Sequence, residues 1–143
     1  MKIIKIFTDG ACSGNPGIGG WGVVMLENDS IKTINGYEDE TTNNRMELKA
    51  AIEGIKNSLK DTEIILFTDS KYVKNGITEW IHNWKKSNWT TSKKEPVKNR
   101  DLWEELEKSS KNHEIEWQWV KAHSGIKENE KADLLARSAI PIR

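Results

Sequence analysis

Two apolar stretches of the chain end on the same three residues. IIKIFTDG occupies residues 3–10 and IILFTDS residues 64–70, and each breaks off at Phe-Thr-Asp before a small residue. Read as strands, they put Lys5, Phe7 and Asp9 on one face of the first and Ile65, Phe67 and Asp69 on one face of the second. Parallel neighbours lie about 4.8 Å apart. Asp9 and Asp69 would then leave the sheet side by side, at the strand exits where open α/β sheets bind ligands. Asp69, followed by Ser70, also has the form of a helix N-cap. Two further acids lie on predicted helices. Glu47, four residues before Ala51, leans toward the sheet while Glu53 points away, and with Asn44 it also has the spacing of a capping box. Asp133 sits on the shoulder of an Ala132/Leu135/Ala136/Ala139 stripe, where a solvated acid is the ordinary occupant.

If the four carboxylates converge, each pair about 5 Å apart repels by roughly 3 kcal/mol even at an effective dielectric near 20. Such a cluster persists when it retains protons or binds cations. An all-oxygen ligand set selects hard ions, Mg²⁺ or Mn²⁺, over zinc. Two such ions about 3.5–4 Å apart clamp the attacking and leaving oxygens of a phosphodiester displacement. That chemistry is a reason to place carboxylates on neighbouring strands.

The elements that must position these acids follow from periodicity. Residues 2–9, 19–27 and 31–38 read as three strands, the second alternating Trp21, Val23 and Met25 on one face. The linker CSGNPGIGG reads as a glycine-rich turn, so the three form an antiparallel meander. The period then changes: in NNRMELKAAIEGIKNSL, Leu48, Ala51, Ile52, Ile55 and Leu59 fall on one helical face. Residues 64–68 form a continuous apolar strand reached through that helix, which implies a parallel, buried partner. KYVKNGITEWIHNWKK carries a Val73/Ile77/Trp80/Ile81/Trp84 stripe, and RDLWEELEKSS is a second helical stretch after the polar loop 87–99. Residues 114–120 alternate as a fifth strand, and a last helix runs over 127–140. The sum is an α/β domain with one mixed five-stranded sheet.

A chain of 143 residues fits one domain and buries roughly 70% of its unfolded surface. It contains no apolar run long enough to span a membrane, and its charged N-terminus does not read as a secretory signal. The single Cys12 excludes an internal disulfide and a cysteine-based zinc site, which suits a reducing cytosol. Net charge is zero, with 22 basic and 22 acidic residues, so bulk charge does not mark a nucleic-acid binder. The distribution is uneven. Residues 80–100 hold Lys85, Lys86, Lys93, Lys94, Lys98 and Arg100 against the lone Glu95, together with Trp80, Trp84 and Trp89.

Seven ordered blocks, FTDGACSGNPGIGGWG, TTNNRMEL, LFTDSKYVKNGI, WIHNWKK, PVKNRDLW, WVKAHSG and ENEKADLLA, closely resemble bacterial type 1 ribonuclease H, and they span essentially the whole chain. The resemblance implies a ribonuclease H-like fold with strand order 3-2-1-4-5 and helices on both faces. It implies endonucleolytic cleavage of the RNA strand of RNA–DNA hybrids, leaving 5′-phosphate and 3′-hydroxyl ends. Position by position, Asp9, Glu47, Asp69 and Asp133 match the family's metal-binding carboxylates, for one or two Mg²⁺ or Mn²⁺ ions. His123 matches its catalytic histidine, a side chain suited to moving protons near neutrality. His82 and His113 have no such setting.

By the same resemblance, Cys12, Asn15, Asn43 and Asn44 reach the hybrid's minor groove, where 2′-hydroxyls separate RNA from DNA. Helix capping is compatible with that role for Asn43 and Asn44. Thr42 with Asn15 resembles the family's pocket for a DNA-strand phosphate. Residues 80–100 match a handle-like protrusion in which Trp80 stacks near a deoxyribose and Lys85 and Lys86 neutralise phosphates; Trp84 and Trp103 read as core. Lys71, where many relatives carry a neutral amide, adds a phosphate contact. The expected protein is a monomeric, cytoplasmic enzyme acting on hybrid duplexes. Two other readings are a catalytically inactive hybrid-binding module and a DNA-cleaving resolvase or transposase core of the same fold superfamily.

Overall fold

The computed structural model describes residues 3–142; Lys2, included in the first predicted strand, lies outside them. Strands β1 (Ile3–Gly14), β2 (Gly17–Glu27) and β3 (Ser30–Thr41) form the meander. Helix α1 (Asn43–Lys56) leads to β4 (Glu63–Thr68), which pairs parallel with β1. Next come α2 (Lys71–Asn75), a π-helical turn (Gly76–Trp80), α3 (Ile81–Lys86), α4 (Arg100–Ser110), β5 (Glu114–Trp119) and α5 (Lys127–Ala139). The sheet order is β3-β2-β1-β4-β5, as the resemblance implies. No helix among the described residues is long and apolar enough to cross a membrane.

The two sheet faces bury different elements. Ile4, Ile6, Val23, Ile64 and Leu66 pack with Leu48, Ala51, Ile52 and Ile55 of α1, and Leu102, Trp103 and Leu106 of α4 complete that cluster. Phe7, Val24 and Ala132 of α5 form a smaller cluster, with Phe67 and Leu135 against it. Both faces of β2 are therefore covered, which is why Val24 is as buried as Val23. Helix α5 closes in on β2 at Gly22, where a Cβ would collide with the Ala132 carbonyl.

Three expectations are corrected. The glycine-rich linker is mostly strand: the β1–β2 ladder runs to Gly14↔Gly17, leaving Asn15-Pro16, joined by a cis peptide bond, as the turn. Leu59 is not on the α1 stripe but half exposed beyond its end. The Asn57 amide bonds the Glu53 carbonyl and the Ser58 hydroxyl the Gly54 carbonyl, side-chain bonds of the kind that compete with helix continuation. The 71–86 helix is interrupted at Gly76–Trp80, where the Trp103 ring occupies the place of a Gly76 Cβ. A wider turn adds a residue and slips the helical phase. Ile81 is buried while Trp80 remains 38% exposed.

Candidate active site

The register of β1 and β4 delivers the first two acids. Phe7 pairs with Phe67 across the parallel ladder, and their rings stack at 4.5 Å with planes 6° apart. Asp9 and Asp69 follow two residues later on that face. The ladders differ beyond that point. β1 stays paired with β2 for five residues past Asp9, whereas β4 ends at Thr68, so Asp69 already belongs to the turn into α2. Glu47 arrives from the first turns of α1, which docks on Gly10. A Cβ there would lie 2.5 Å from the Glu47 amide nitrogen, so hydrogen is the side chain that lets the helix approach. Ligand oxygens of Asp9, Glu47 and Asp69 consequently lie within 4.8 Å of one another.

The cluster is electrostatically uncomfortable. Asp9 is pushed from the ordinary 3.8 up to about 8, by burial first and then by the Asp69 charge and a hydrogen bond with Asp133, against a smaller pull from the Gly10 N–H. Burial, followed by the charges of Asp9 and Asp69, drives Glu47 well above the usual carboxylate range. Glu47 Oε1 is buried without a hydrogen-bond partner, a state that costs about 1–3 kcal/mol when left uncompensated. A trio of oxygen donors with one orphaned inside fits a hard divalent cation. Asp133, on α5, helps to raise Asp9 and accepts a 3.0 Å hydrogen bond from Arg137 Nε, and it is not among the three acids whose ligand oxygens converge. The capping alternative for Glu47 is not realised, because Thr42 Oγ1 caps α1 by accepting the Arg45 N–H. Asp69 likewise leaves capping of α2 to Ser70, whose hydroxyl accepts the Val73 N–H.

His123 is exposed in the loop between β5 and α5, with φ +53°. With Asp133 and Arg137 it lines a cavity of about 660 Å³. Asn43 and Asn44 are exposed at the start of α1, and Asn15 Oδ1 accepts the Asn43 N–H at 3.1 Å, tying the β1–β2 turn to that helix. The Cys12 thiol donates to the Thr41 carbonyl at 3.4 Å, and partial burial raises its pKa. Asn15, Thr42, Asn43, Asn44 and Cys12 therefore form one continuous edge. Lys71 is exposed at the start of α2, and Trp80, Lys85 and Lys86 lie further along. Lys85 is bound to Glu107 at 2.7 Å.

The sequence profile described as RNase H matches residues 1–141. The chain belongs to the RNase H family. A ribonuclease H from Wolbachia sp. subsp. Drosophila simulans (strain wRi) is 58% identical to this RNase H over 139 residues, covering 97% of this chain and 96% of the relative. Among solved structures, LC9-RNase H1, described as a type 1 RNase H with the type 2 active-site motif, superposes with a TM-score of 0.88 at 30% identity, covering 98% of this chain and 72% of that one. LC11-RNase H1, solved in complex with RNA/DNA hybrid, gives 0.68 at 25% identity, with 96% of each chain covered.

Sequence reasoning about this RNase H passed over two neighbours of the acids. Arg137, four residues after Asp133, stood at ion-pairing distance on one helix face. Trp119, the last residue of β5, donates its indole N–H to the Asp69 carbonyl, a contact that no spacing announces.

Proposed function

We propose that this RNase H cuts the RNA strand of RNA–DNA hybrids endonucleolytically and by hydrolysis, leaving 5′-phosphate and 3′-hydroxyl ends. The observation that carries the reading is the convergence of Asp9, Glu47 and Asp69 with a buried, unpartnered oxygen on Glu47. Asp9, Glu47 and Asp69 hold one or two ions, Mg²⁺ or alternatively Mn²⁺, with Asp133 joining them from α5. Bound ions supply Lewis acidity toward the phosphate and a more acidic water.

The remaining roles belong to the protein. Stacked Phe7 and Phe67 keep the two strand acids in register, and Gly10 lets Glu47 meet them. His123, on its exposed loop, carries a proton to the leaving 3′-oxygen. Cys12, Asn15, Asn43 and Asn44 lie along the minor groove and recognise 2′-hydroxyls, with Thr42 and Asn15 at a DNA-strand phosphate. The whole chain is one domain with a handle at residues 80–100, where Trp80, Lys85 and Lys86 meet the DNA strand, and Lys71 adds a phosphate contact. It works as a monomer in the cytoplasm.

The test is a strand-labelled cleavage assay on hybrid, RNA duplex, DNA duplex and single-stranded RNA, with and without EDTA. The expected result is metal-dependent cleavage confined to the RNA strand of the hybrid. Comparable cutting of DNA duplex would point to a resolvase-like enzyme, and hybrid binding without cleavage to an inactive module; either outcome rejects the proposal.

A further inference from the structure

Beside the acids, one main-chain carbonyl falls between two ladders. On its β5 side, β4 ends with the Val120 N–H donating to the Thr68 carbonyl at 2.9 Å, and α2 begins with the Lys74 N–H donating to the Ser70 carbonyl at 3.2 Å. The Asp69 carbonyl lies between those acceptors. A backbone oxygen in that position needs a donor from elsewhere, and the Trp119 indole Nε1–H supplies it at 3.0 Å.

Trp119 is unusual for its strand. Ile115 and Trp117, on the same face of β5, pack against the main core, but Trp119 is 38% exposed. Part of its ring face is instead covered by Lys71, whose Nζ stands 4.8 Å from the ring centroid. Lys71 opens α2 only two residues after Asp69. An ammonium held over an indole keeps N–H donors available to an anion. Lys85, by contrast, is already engaged by a carboxylate.

We propose that Trp119 is a positioning residue coupling the metal-ligand candidate Asp69 to the substrate-contact candidate Lys71. The indole N–H fixes the Asp69 peptide, so that its carboxylate stays aimed at Asp9 and Glu47. The ring face fixes the Lys71 ammonium at the rim, facing the substrate's phosphate backbone. Chemistry and backbone grip are thereby tied through one side chain. This inference rests on the function proposed above.

The experiment uses Trp119→Phe, Trp119→Leu, Lys71→Gln and the Leu/Gln double variant of the full chain. Mn²⁺ binding is measured by electron paramagnetic resonance without substrate, and kcat and KM on labelled hybrid. Trp119→Phe keeps the ring but loses the N–H, so Mn²⁺ affinity should fall about three- to tenfold and kcat with it, at a KM close to wild type. Trp119→Leu should add a rise in KM of about two- to fivefold. Lys71→Gln should raise KM with Mn²⁺ binding unchanged, and in its background Trp119→Leu should raise KM no further. Trp119→His, which restores a ring N–H, should recover Mn²⁺ affinity relative to Phe, and Trp119→Leu, which also lacks the N–H, serves in place of Phe in the Mn²⁺ measurement if that variant folds poorly. Wild-type Mn²⁺ affinity in Trp119→Phe, or a KM effect of Trp119→Leu that survives intact without Lys71, would overturn the coupling. Wild-type chain that leaves hybrid uncut counts against the proposed function, whereas the Mn²⁺ comparison judges the Asp69 contact without substrate.

Discussion

The carboxylate pocket and the basic loop after α3 are built on opposite terms. In the pocket, Asp9 and Glu47 are each only 5% exposed, fixed by strands and by a helix that touches Gly10, and their charges oppose the fold that gathers them. In the loop, Lys93 and Lys94 are exposed and ask nothing of the core. The loop is anchored instead by buried Trp89 and Val97, by the Val97 N–H donating to the Trp89 carbonyl at 3.0 Å, and by the Arg100 guanidinium lying 5.2 Å from the Trp89 ring centroid. In the function proposed above, a cation relieves the repulsion held in the pocket, whereas the exposed lysines of the loop have no such repulsion to relieve. Neutralising a charge should therefore have opposite consequences in the two places.

The largest effect is expected from Asp9→Asn. Turnover on hybrid should fall by about 10³-fold or more, the loss of roughly 4 kcal/mol of transition-state stabilisation. Meanwhile the melting temperature without divalent ions should rise by about 2–4 °C per kcal/mol of repulsion removed. Near-wild-type rates in Mg²⁺, or a lower melting temperature, would break the comparison at its anionic end.

Wild-type stability should also depend on pH in a direction set by Asp9. Its folded-state pKa near 8 lies above the ordinary 3.8, so between those values the folded chain holds a proton that the unfolded chain has lost. The Asp9 contribution is complete below about pH 4 and is lost as pH rises through 8, at up to about 1.4 kcal/mol per pH unit. Denaturant titrations in EDTA should show this decline. A saturating divalent ion at 100 times its dissociation constant should return about 2.7 kcal/mol at pH 8. Asp9→Asn should flatten the decline.

His123→Ala should reduce kcat by about 10²-fold without abolishing it, because water can carry a proton but cannot take the place of a carboxylate ligand. A loss as deep as that of Asp9→Asn would assign His123 a larger part than proton transfer.

The smallest effects belong to the end of α3 and the basic loop after it. Replacing Lys85, Lys86, Lys93 and Lys94 by Ala should leave kcat unchanged and weaken hybrid binding. The log–log salt slope should drop by about one unit per lost phosphate contact. Lys85 should count least, because Glu107 already holds it, and Glu107→Gln should release it and steepen the slope. An unchanged slope in the fourfold variant would remove the loop from the binding surface.

Much of this was legible in the chain. The shared parity of Asp9 and Asp69 follows from strand geometry alone, and α4 occupies the stretch its periodicity marks, Arg100–Ser110. What escaped depends on contacts between distant segments. The glycines at residues 14–20 look like turn residues, yet the ladder continues through them, and Thr41 beside Gly19 and the Ala136 carbonyl of α5 beside Gly20 leave no room for a Cβ. Trp89 has no role assigned by its lysine neighbours in the sequence, and the fold makes it a buried anchor. Trp80 sits on the predicted apolar stripe, and the π-turn rolls it outward. The indole that reaches the Asp69 carbonyl comes from a strand 50 residues away.

The unequal lengths of the two ladders flanking the pocket have a dynamic consequence. Asp9 lies well inside paired strands, whereas Asp69 stands past the last rung of its own. Amide protons around Asp9 should exchange with solvent only in wide excursions of the sheet, while those from Asp69 into α2 exchange through small, local ones. The pocket thus has one wall set inside the sheet and one at its end, where the Trp119 indole stands in for the missing rungs.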